Sequence, residues 1–116
     1  MDLNIVIFGE IGSGKDTVSQ LLTKHIDAEI VKLGSKIRND VDELAKFSSR
    51  GKNKRHLYQE YGQSMREIFG IDIWNVYLYH SIKEGISQGK SYIISDARQP
   101  NEFSFWANLG FVPVAV

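Results

Sequence analysis

A short apolar run that leads directly into a glycine-rich loop is the feature that most limits how this chain can fold. Residues 3–8 are almost all apolar and rich in β-branched side chains, which is typical of a strand buried on both faces of a parallel sheet. Residues 9–15 follow as a glycine-rich loop, called the glycine loop below, and apolar residues then recur at helical spacing. With a second predicted strand at residues 28–33, these elements indicate a strand–helix–strand unit of an α/β fold.

The remaining sequence predicts further helices and two more strands. Three helices are expected between the second and third strands, at residues 35–47, 55–69 and 73–88. Ser35 and Asp72 are candidate N-caps there, and Gly89 is a candidate stop. The third strand, a helix opened by Pro100 and ended by Gly110, and a fourth strand are expected at residues 91–95, 100–108 and 111–116.

These elements predict a single domain over residues 1–116 with three layers. A mainly parallel sheet is expected to carry helices on both faces. Its third strand should lie between the second and the first, and the fourth strand should follow the first.

Composition excludes several classes of function. The chain has 116 residues, balanced charge with 14 basic and 14 acidic side chains, and no cysteine. The absence of cysteine removes a disulfide framework, a cysteine zinc site and a cysteine nucleophile. Net neutrality gives no bulk attraction to nucleic acid or to an anionic membrane, and no run approaches the 18 or so apolar residues that span a bilayer. Without a signal-peptide pattern at the N-terminus, the expected location is cytoplasmic.

The glycine loop carries the first chemical signal. Gly9, Gly14 and Lys15 match G-x-x-x-x-G-K at every fixed position. Glycines let backbone N–H groups turn inward around an anion, and the start of the following helix adds partial positive charge. Lys15 supplies a cation that can reach the β- and γ-phosphates of a nucleotide. The alternative is a glycine turn with a surface lysine, which the flanking strand and helix disfavour.

The loop departs from the usual motif at one position. Ser or Thr normally follows the lysine, where its hydroxyl holds Mg²⁺. Here Asp16 follows the lysine and Thr17 comes next. A carboxylate is also a good hard-oxygen ligand, directly or through water, so both residues stay candidates for the metal.

A second polar signal comes directly after the third predicted strand. Asp96 and Arg98 lie at the carboxyl edge of the sheet, where open α/β sheets bind ligands and where the glycine loop also lies. Asp96 is placed to organise Mg²⁺ or to orient an attacking group, and Arg98 to hold an anion. The alternative is a carboxylate that caps the next helix and an ordinary surface arginine.

Four motifs together suggest a family. They are Gly-Ser-Gly-Lys-Asp-Thr at 12–17, Tyr-Gly-Gln-Ser-Met-Arg at 61–66, Asp-Ile-Trp at 72–74, and Ile-Ile-Ser-Asp-Ala-Arg-Gln-Pro-Asn-Glu at 93–102. With these motifs the chain resembles the deoxynucleoside monophosphate kinases of phages and bacteria, which are P-loop proteins related to the adenylate kinase superfamily. The similarity runs from residue 5 to residue 116.

The resemblance implies a three-layer P-loop nucleoside-kinase fold and transfer of the γ-phosphoryl group of ATP, with Mg²⁺, to a (deoxy)nucleoside 5′-monophosphate. It implies catalytic roles for Lys15, Asp96 and Arg98, and metal ligands among Asp16, Thr17 and Asp96. The implied cofactor-binding residues are Gly9, Gly12, Ser13, Gly14, Lys15, Asp16 and Thr17. The implied substrate-binding residues are Lys36 or Arg38, with Gln59, Arg66, Trp74 and Arg98.

Some of these residues have simpler interpretations. The alternative for Arg66 is an exposed helix face, and the alternative for Trp74 is a core residue, because large aromatic side chains usually serve packing. Glu102 suits a first-turn acid on its own helix. Another P-loop small-molecule kinase, of the phosphomevalonate or dephospho-coenzyme A type, and a nucleotide-binding module without turnover are the alternative functions.

The resemblance also sets expectations about organisation and partners. Residues from about 35 to 90 are expected to form a helical insertion that binds the acceptor, and the lid that usually follows the fourth strand is not in this sequence. The expected partner is a nucleoside monophosphate substrate, with neither nucleic acid nor a membrane surface. A homodimer stays open.

Overall fold

A computed structural model of the chain describes residues 3–10, 12–50 and 53–116, and its elements follow the predicted order. The strands are β1 (Ile5–Phe8), β2 (Ala28–Val31), β3 (Ser91–Ala97) and β4 (Val112–Ala115). The helices of the described ranges are α1 (Lys15–Thr23), α2 (Gly34–Ala45), α3 (Lys54–Phe69), α4 (Ile73–Ser87) and α5 (Pro100–Asn108).

The four strands form one parallel sheet in the order β2-β3-β1-β4, which confirms the predicted order. The register pairs Ile93 of the central strand β3 with Ile5 of β1 and Ile30 of β2. Because all strands run the same way, their carboxyl ends share one edge. That edge brings the glycine loop, the start of α2 and the β3–α5 junction together.

Helices cover both faces of the sheet, so the predicted α/β layering is confirmed. Successive strand residues point to opposite faces. Ile5, Ile7 and Ile93 pack toward Val18 and Leu22 of α1 on one face. On the other face, strand side chains pack against α4 and α5 in a single buried cluster, whose largest member is Trp106.

The three helices between β2 and β3 have different surroundings. Helices α2 and α3 pack against each other. Helix α4 lies on the sheet, where Ile82 is buried in the core with Leu78 beside it. Within the segment predicted as an insertion, at about 35–90, α4 therefore packs on the sheet, and α2 and α3 pack mainly on each other.

One predicted N-cap is wrong, the other is confirmed in position, and two predicted stops are confirmed. Helix α2 begins at Gly34, so Ser35 lies inside it and caps nothing. Asp72 is the N-cap residue of α4, as predicted, but its carboxylate accepts hydrogen bonds from the side chains of Asn75 and Asn101 and none from the helix backbone. At the start of α2, the carboxylate of Asp96, which is distant in sequence, accepts from the Leu33 and Gly34 amides. Gly89 and Gly110 follow α4 and α5 with φ of 87° and 96°, as expected for glycine stops.

In the part of the chain that the structure describes, no helix is both long enough and apolar enough to span a bilayer.

The Trp106–Asn75 contact makes a testable contribution to stability. Trp106 is fully buried, and its Nε1 donates to Oδ1 of Asn75 at 3.0 Å. We expect Trp106→Phe to lower the free energy of unfolding by about 1–3 kcal/mol, because it leaves the buried Asn75 oxygen without this donor. Urea denaturation measures the change. Tyr77→Phe, at an exposed position on α4, is the control and should stay within about 0.5 kcal/mol of the wild type. Equal losses in the two variants would contradict the role of the buried contact.

Candidate functional site

The glycine loop enters α1 through backbone that glycine favours. Gly12 and Gly14 have φ of 81° and 93°, in a region that residues with a Cβ rarely adopt. Gly14 is the N-cap of α1, with no side-chain cap, so the first amides of the helix are available to a ligand. The loop therefore ends in the arrangement of N–H groups that the sequence predicts for an anion site.

The Lys15 ammonium lies against the loop from which it comes. Its Nζ donates to the carbonyl oxygens of Gly9 and Glu10, both at 2.6 Å. Burial lowers the pKa of Lys15, and the positive charge of Arg98 lowers it further. A buried cation with cationic neighbours gains from any anion that enters beside it.

A cavity of about 370 Å³ opens in front of the loop, at the carboxyl edge of the sheet, and is called the loop cavity below. It is lined by Gly12, Gly14, Lys15, Asp16, Thr17, Lys32, Arg38, Ser95, Asp96 and Arg98. Four of these side chains are basic and two are acidic, so the cavity is suited to an anion.

Ser95 is an unsatisfied polar group in this wall. It is 1% exposed, and within the described ranges its Oγ has no hydrogen-bond partner. A buried hydroxyl without a partner is rare in proteins and points to a missing ligand, ion or water. Ser13 Oγ is also buried without a partner, but Ser13 is not among the lining residues of the loop cavity.

Lys32 belongs to the loop cavity, although the sequence analysis did not identify it. It directly follows β2, and its Nζ lies 2.9 Å from Oδ1 of Asp16. The hydrogen bond and charge of Lys32 lower the pKa of Asp16. The signal that could have found Lys32 is its position at the carboxyl end of a predicted parallel strand, the same signal that pointed to Asp96.

Asp96 joins the end of β3 to the start of α2. Its Oδ1 accepts from the Leu33 amide at 2.7 Å, and its Oδ2 accepts from the Gly34 amide at 2.9 Å. The alternative that Asp96 caps the next helix in sequence, α5, is therefore wrong, because the helix it caps is α2. Each carboxylate oxygen keeps a further lone pair for a ligand.

Glu102 closes the turn between β3 and α5. Its Oε1 accepts from the amides of Arg98 and Gln99 at 2.9 and 2.8 Å, as part of a capping box with Gln99. The interpretation of Glu102 as a first-turn acid of its own helix is confirmed. This contact holds the backbone from which the Arg98 side chain extends.

A second cavity, of about 410 Å³, lies between α2, α3, the start of α4 and the β3–α5 turn, and is called the helical cavity below. It is lined by Leu33, Gly34, Ile37, Arg38, Tyr58, Gln59, Gly62, Gln63, Arg66, Trp74, Asp96, Arg98, Gln99 and Glu102. All the predicted substrate-binding residues except Lys36 lie in this wall.

Lys36 lies apart from both cavities. Its Nζ pairs with Asp40 at 2.8 Å and lies 5.4 Å from the centroid of the Tyr77 ring. Because two residues along a helix turn a side chain by about 200°, Lys36 and Arg38 point in different directions. Of the two basic residues predicted for this segment, Arg38 is the one that lines the cavities.

The helical cavity has a local excess of positive charge. Among the described residues, no carboxylate lies within ion-pair distance of Arg38, Arg66 or Arg98. The acidic side chains in the wall, Asp96 and Glu102, both accept hydrogen bonds from backbone amides. The three guanidinium groups are therefore available for an anionic ligand.

Aromatic side chains form part of the same wall. The Arg38 guanidinium lies 5.9 Å from the centroid of the Tyr58 ring. Trp74 is 6% exposed, and its Nε1 donates to the carbonyl of Gly62 at 3.1 Å. Trp74 thus packs in the interior, as the simpler interpretation held, and also lines the cavity.

The two cavities meet at three residues, since Arg38, Asp96 and Arg98 line both of them. The described residues contain no group of three or more His, Asp or Glu side chains that could hold a metal ion by themselves.

Comparisons with protein-family models, curated proteins and solved structures found no match to this chain.

The role of Asp96 as a cap can be tested by substitution. We expect Asp96→Ala to lower the free energy of unfolding by about 1–3 kcal/mol, because two amides at the start of α2 lose their acceptor. The free energy of opening that hydrogen exchange measures at the Leu33 and Gly34 amides should fall by a similar amount, so that both amides exchange faster. Glu43→Ala, at an exposed position of α2, is the control and should leave both measurements unchanged. Unchanged exchange at Leu33 and Gly34 in Asp96→Ala would contradict the assignment.

Proposed function

We propose that this protein is a P-loop nucleoside monophosphate kinase, which transfers the γ-phosphoryl group of ATP to a (deoxy)nucleoside 5′-monophosphate. The observation that carries the proposal is that two separate cavities share Arg38, Asp96 and Arg98. A phosphoryl-transfer enzyme has to hold two anionic reactants with their reacting groups side by side. Two cavities that meet at a pair of arginines suit that requirement.

In this proposal the loop cavity takes the triphosphate of ATP. The amides of Gly12, Gly14 and Lys15 at the N-terminus of α1 would bind phosphate oxygens. Lys15 exchanges its contacts with the loop carbonyls for phosphate oxygens, which carry a full negative charge. A phosphate would also relieve the electrostatic repulsion between Lys15 and Arg98, which favours the same exchange.

The loop cavity also has the donor atoms that Mg²⁺ prefers. Its wall holds the Thr17 hydroxyl, the Asp16 and Asp96 carboxylates, and the Ser95 hydroxyl, which has no hydrogen-bond partner among the described residues. All are hard oxygen ligands, and Mg²⁺ needs only one or two of them beside phosphates and waters. When bound, the ion would neutralise charge on the phosphates. Thr17 and Asp16 are the residues that would hold it, and Ser95 and Asp96 would bind its waters.

The helical cavity takes the acceptor in this proposal. Arg38, Arg66 and Arg98 would bind the 5′-phosphate, since none has a carboxylate partner in the described ranges. Tyr58 and Trp74 offer aromatic surface to a base, and the Gln59 and Gln63 amides offer hydrogen bonds to its edge.

The chemical step then follows from placement. An oxygen of the acceptor 5′-phosphate attacks the γ-phosphorus, and the bond from that phosphorus to the β–γ bridging oxygen breaks, so that ADP leaves. The attacking oxygen is already anionic, so the step needs no strong base. Arg38 and Arg98, on the shared wall, stabilise the charge that spreads over the phosphoryl group.

Turnover against a panel of acceptors tests the function. We expect ADP release that requires ATP, Mg²⁺ and at least one deoxynucleoside monophosphate. Lys15→Ala should abolish it and Arg98→Ala should reduce it by roughly a hundredfold, the usual scale for removal of a charge-stabilising group. Lys46→Ala, an exposed position beyond both cavities, is the control. ATP binding without acceptor-dependent ADP would favour a binding module, and turnover only with other acceptors would favour a different kinase.

A pair of variants tests the acceptor cavity separately. We expect Arg66→Ala to raise the KM for the monophosphate roughly tenfold, because one charged hydrogen-bond donor to the acceptor is lost. The Kd for ATP should stay unchanged, since Arg66 does not line the loop cavity. Lys36→Ala is the matched control on the neighbouring helix and should change neither value. An increase in KM for Lys36→Ala alone would place the acceptor elsewhere.

A further inference from the structure

Lys32 is a basic residue of the loop cavity to which neither the sequence motifs nor the proposed reaction assigns a role. It lies one residue beyond β2, and the contact that holds its ammonium is Oδ1 of Asp16, at 2.9 Å. Asp16 belongs to the first turn of α1. The ion pair therefore joins the carboxyl end of β2 to the first turn of α1, and both of its residues line the loop cavity.

This ion pair is easily exchanged. The side chain of Asp16 is 79% exposed and that of Lys32 is 38% exposed, so water screens their attraction. A nucleotide phosphate in the cavity carries more charge than one carboxylate and offers several acceptor oxygens. An ammonium in this wall gains more from such a phosphate than from an exposed Asp16.

The arrangement of the two cavities indicates which phosphate Lys32 would meet. Leu33 and Gly34, the next two residues, line the helical cavity, so the acceptor side of the site lies beside the end of β2. The transferred phosphoryl group has to face the acceptor across the shared residues Arg38 and Arg98. In the proposed kinase the terminal phosphate of the donor would therefore lie on the β2 side of the loop cavity, where Lys32 is.

Electrostatics agree with this placement. The positive charges of Arg98 and Lys32 both contribute to the lowered pKa of Lys15, so these cations act on one common region. A polyanion there relieves their mutual repulsion. Lys32 lines the loop cavity and not the helical cavity, which associates it with the donor and not with the acceptor.

We propose that Lys32 leaves Asp16 when the donor nucleotide binds and that it then contacts the terminal phosphate of that nucleotide. The orientation of the donor rests on the proposed kinase function. The exchange makes Lys32 a residue that distinguishes ATP from ADP, because only ATP carries a phosphate within its reach. It also frees the Asp16 carboxylate at the moment when the phosphates enter.

Nucleotide binding in EDTA tests this proposal without the metal. The Kd values of ATP and ADP are measured by isothermal titration calorimetry for the wild type, Lys32→Met and Lys32→Arg. Lys32→Met, which keeps the aliphatic stem, should weaken ATP binding roughly tenfold and ADP binding by no more than about twofold. Lys32→Arg should keep most of the ATP affinity. The control is Lys24→Met, an exposed lysine after α1 that lines neither cavity. Equal effects of Lys32→Met on ATP and ADP, or no effect, would overturn the proposal.

The exchange itself has a further signature. In EDTA, Asp16→Asn should strengthen ATP binding by about threefold, because Lys32 no longer has to leave a charged partner. The same substitution in the Lys32→Met background should have a smaller effect. Weaker ATP binding in Asp16→Asn under these conditions would show that the pair does not compete with phosphate.

The two proposals can fail separately. If Lys32→Met loses affinity for ATP but not for ADP, and the wild type shows no acceptor-dependent ADP release, the phosphate contact is supported and the kinase function is refuted. If the wild type shows turnover and Lys32→Met leaves the ratio of ATP to ADP affinity unchanged, the kinase function is supported and the phosphate contact is refuted. A wild-type protein that binds neither nucleotide would overturn both.

Discussion

The candidate site depends on two hydrogen bonds from the start of α2 to the Asp96 carboxylate. They connect the central strand of the sheet to a helix that otherwise stands away from it. Arg38 lies one turn into that helix and Arg98 lies two residues beyond Asp96, so this one carboxylate relates the positions of both arginines. Without this carboxylate, two helix amides would lack an acceptor. The end of β3 and the start of α2, which carry the residues shared by the two cavities, would lose these two hydrogen bonds.

A chain with no net charge concentrates positive charge at this edge because of what its acidic groups do. Asp96 and Glu102 each accept two backbone amides, and the carboxylate of Asp16 is paired with Lys32. Those contacts occupy the nearby negative charge, whereas the guanidinium groups of Arg38, Arg66 and Arg98 have no carboxylate partner in the described ranges. The electrostatic character of the site is thus set by hydrogen bonding as much as by the number of charges.

Much of the fold was predictable because its signals are local. Apolar runs, helical periodicity, Gly89, Pro100 and Gly110 located the elements to within a few residues, and the strand order was also correct. The N-cap prediction failed at Ser35, whereas Asp72 is the N-cap residue of α4 but makes no side-chain cap. At the start of α2 the Asp96 carboxylate, distant in sequence, accepts from the Gly34 amide. At α4 the Asp72 carboxylate accepts from Asn75, three residues along the chain, and from the distant Asn101. The local sequence does not show whether a side chain will cap its own helix or bond a residue that is distant in sequence and comes close only in the folded protein.

The sequence by itself determined the glycine loop after a buried strand, the helix that follows it, and a polar segment at the end of β3. These depend on residue type, spacing and the direction of parallel strands. Only the tertiary structure decided that Arg38 and not Lys36 lines the cavities, that Lys32 belongs beside Asp16, and that Asp96 caps α2. The physical reason is that a side chain's partners are set by distances in space between separate elements, which the spacing of residues along the chain does not contain.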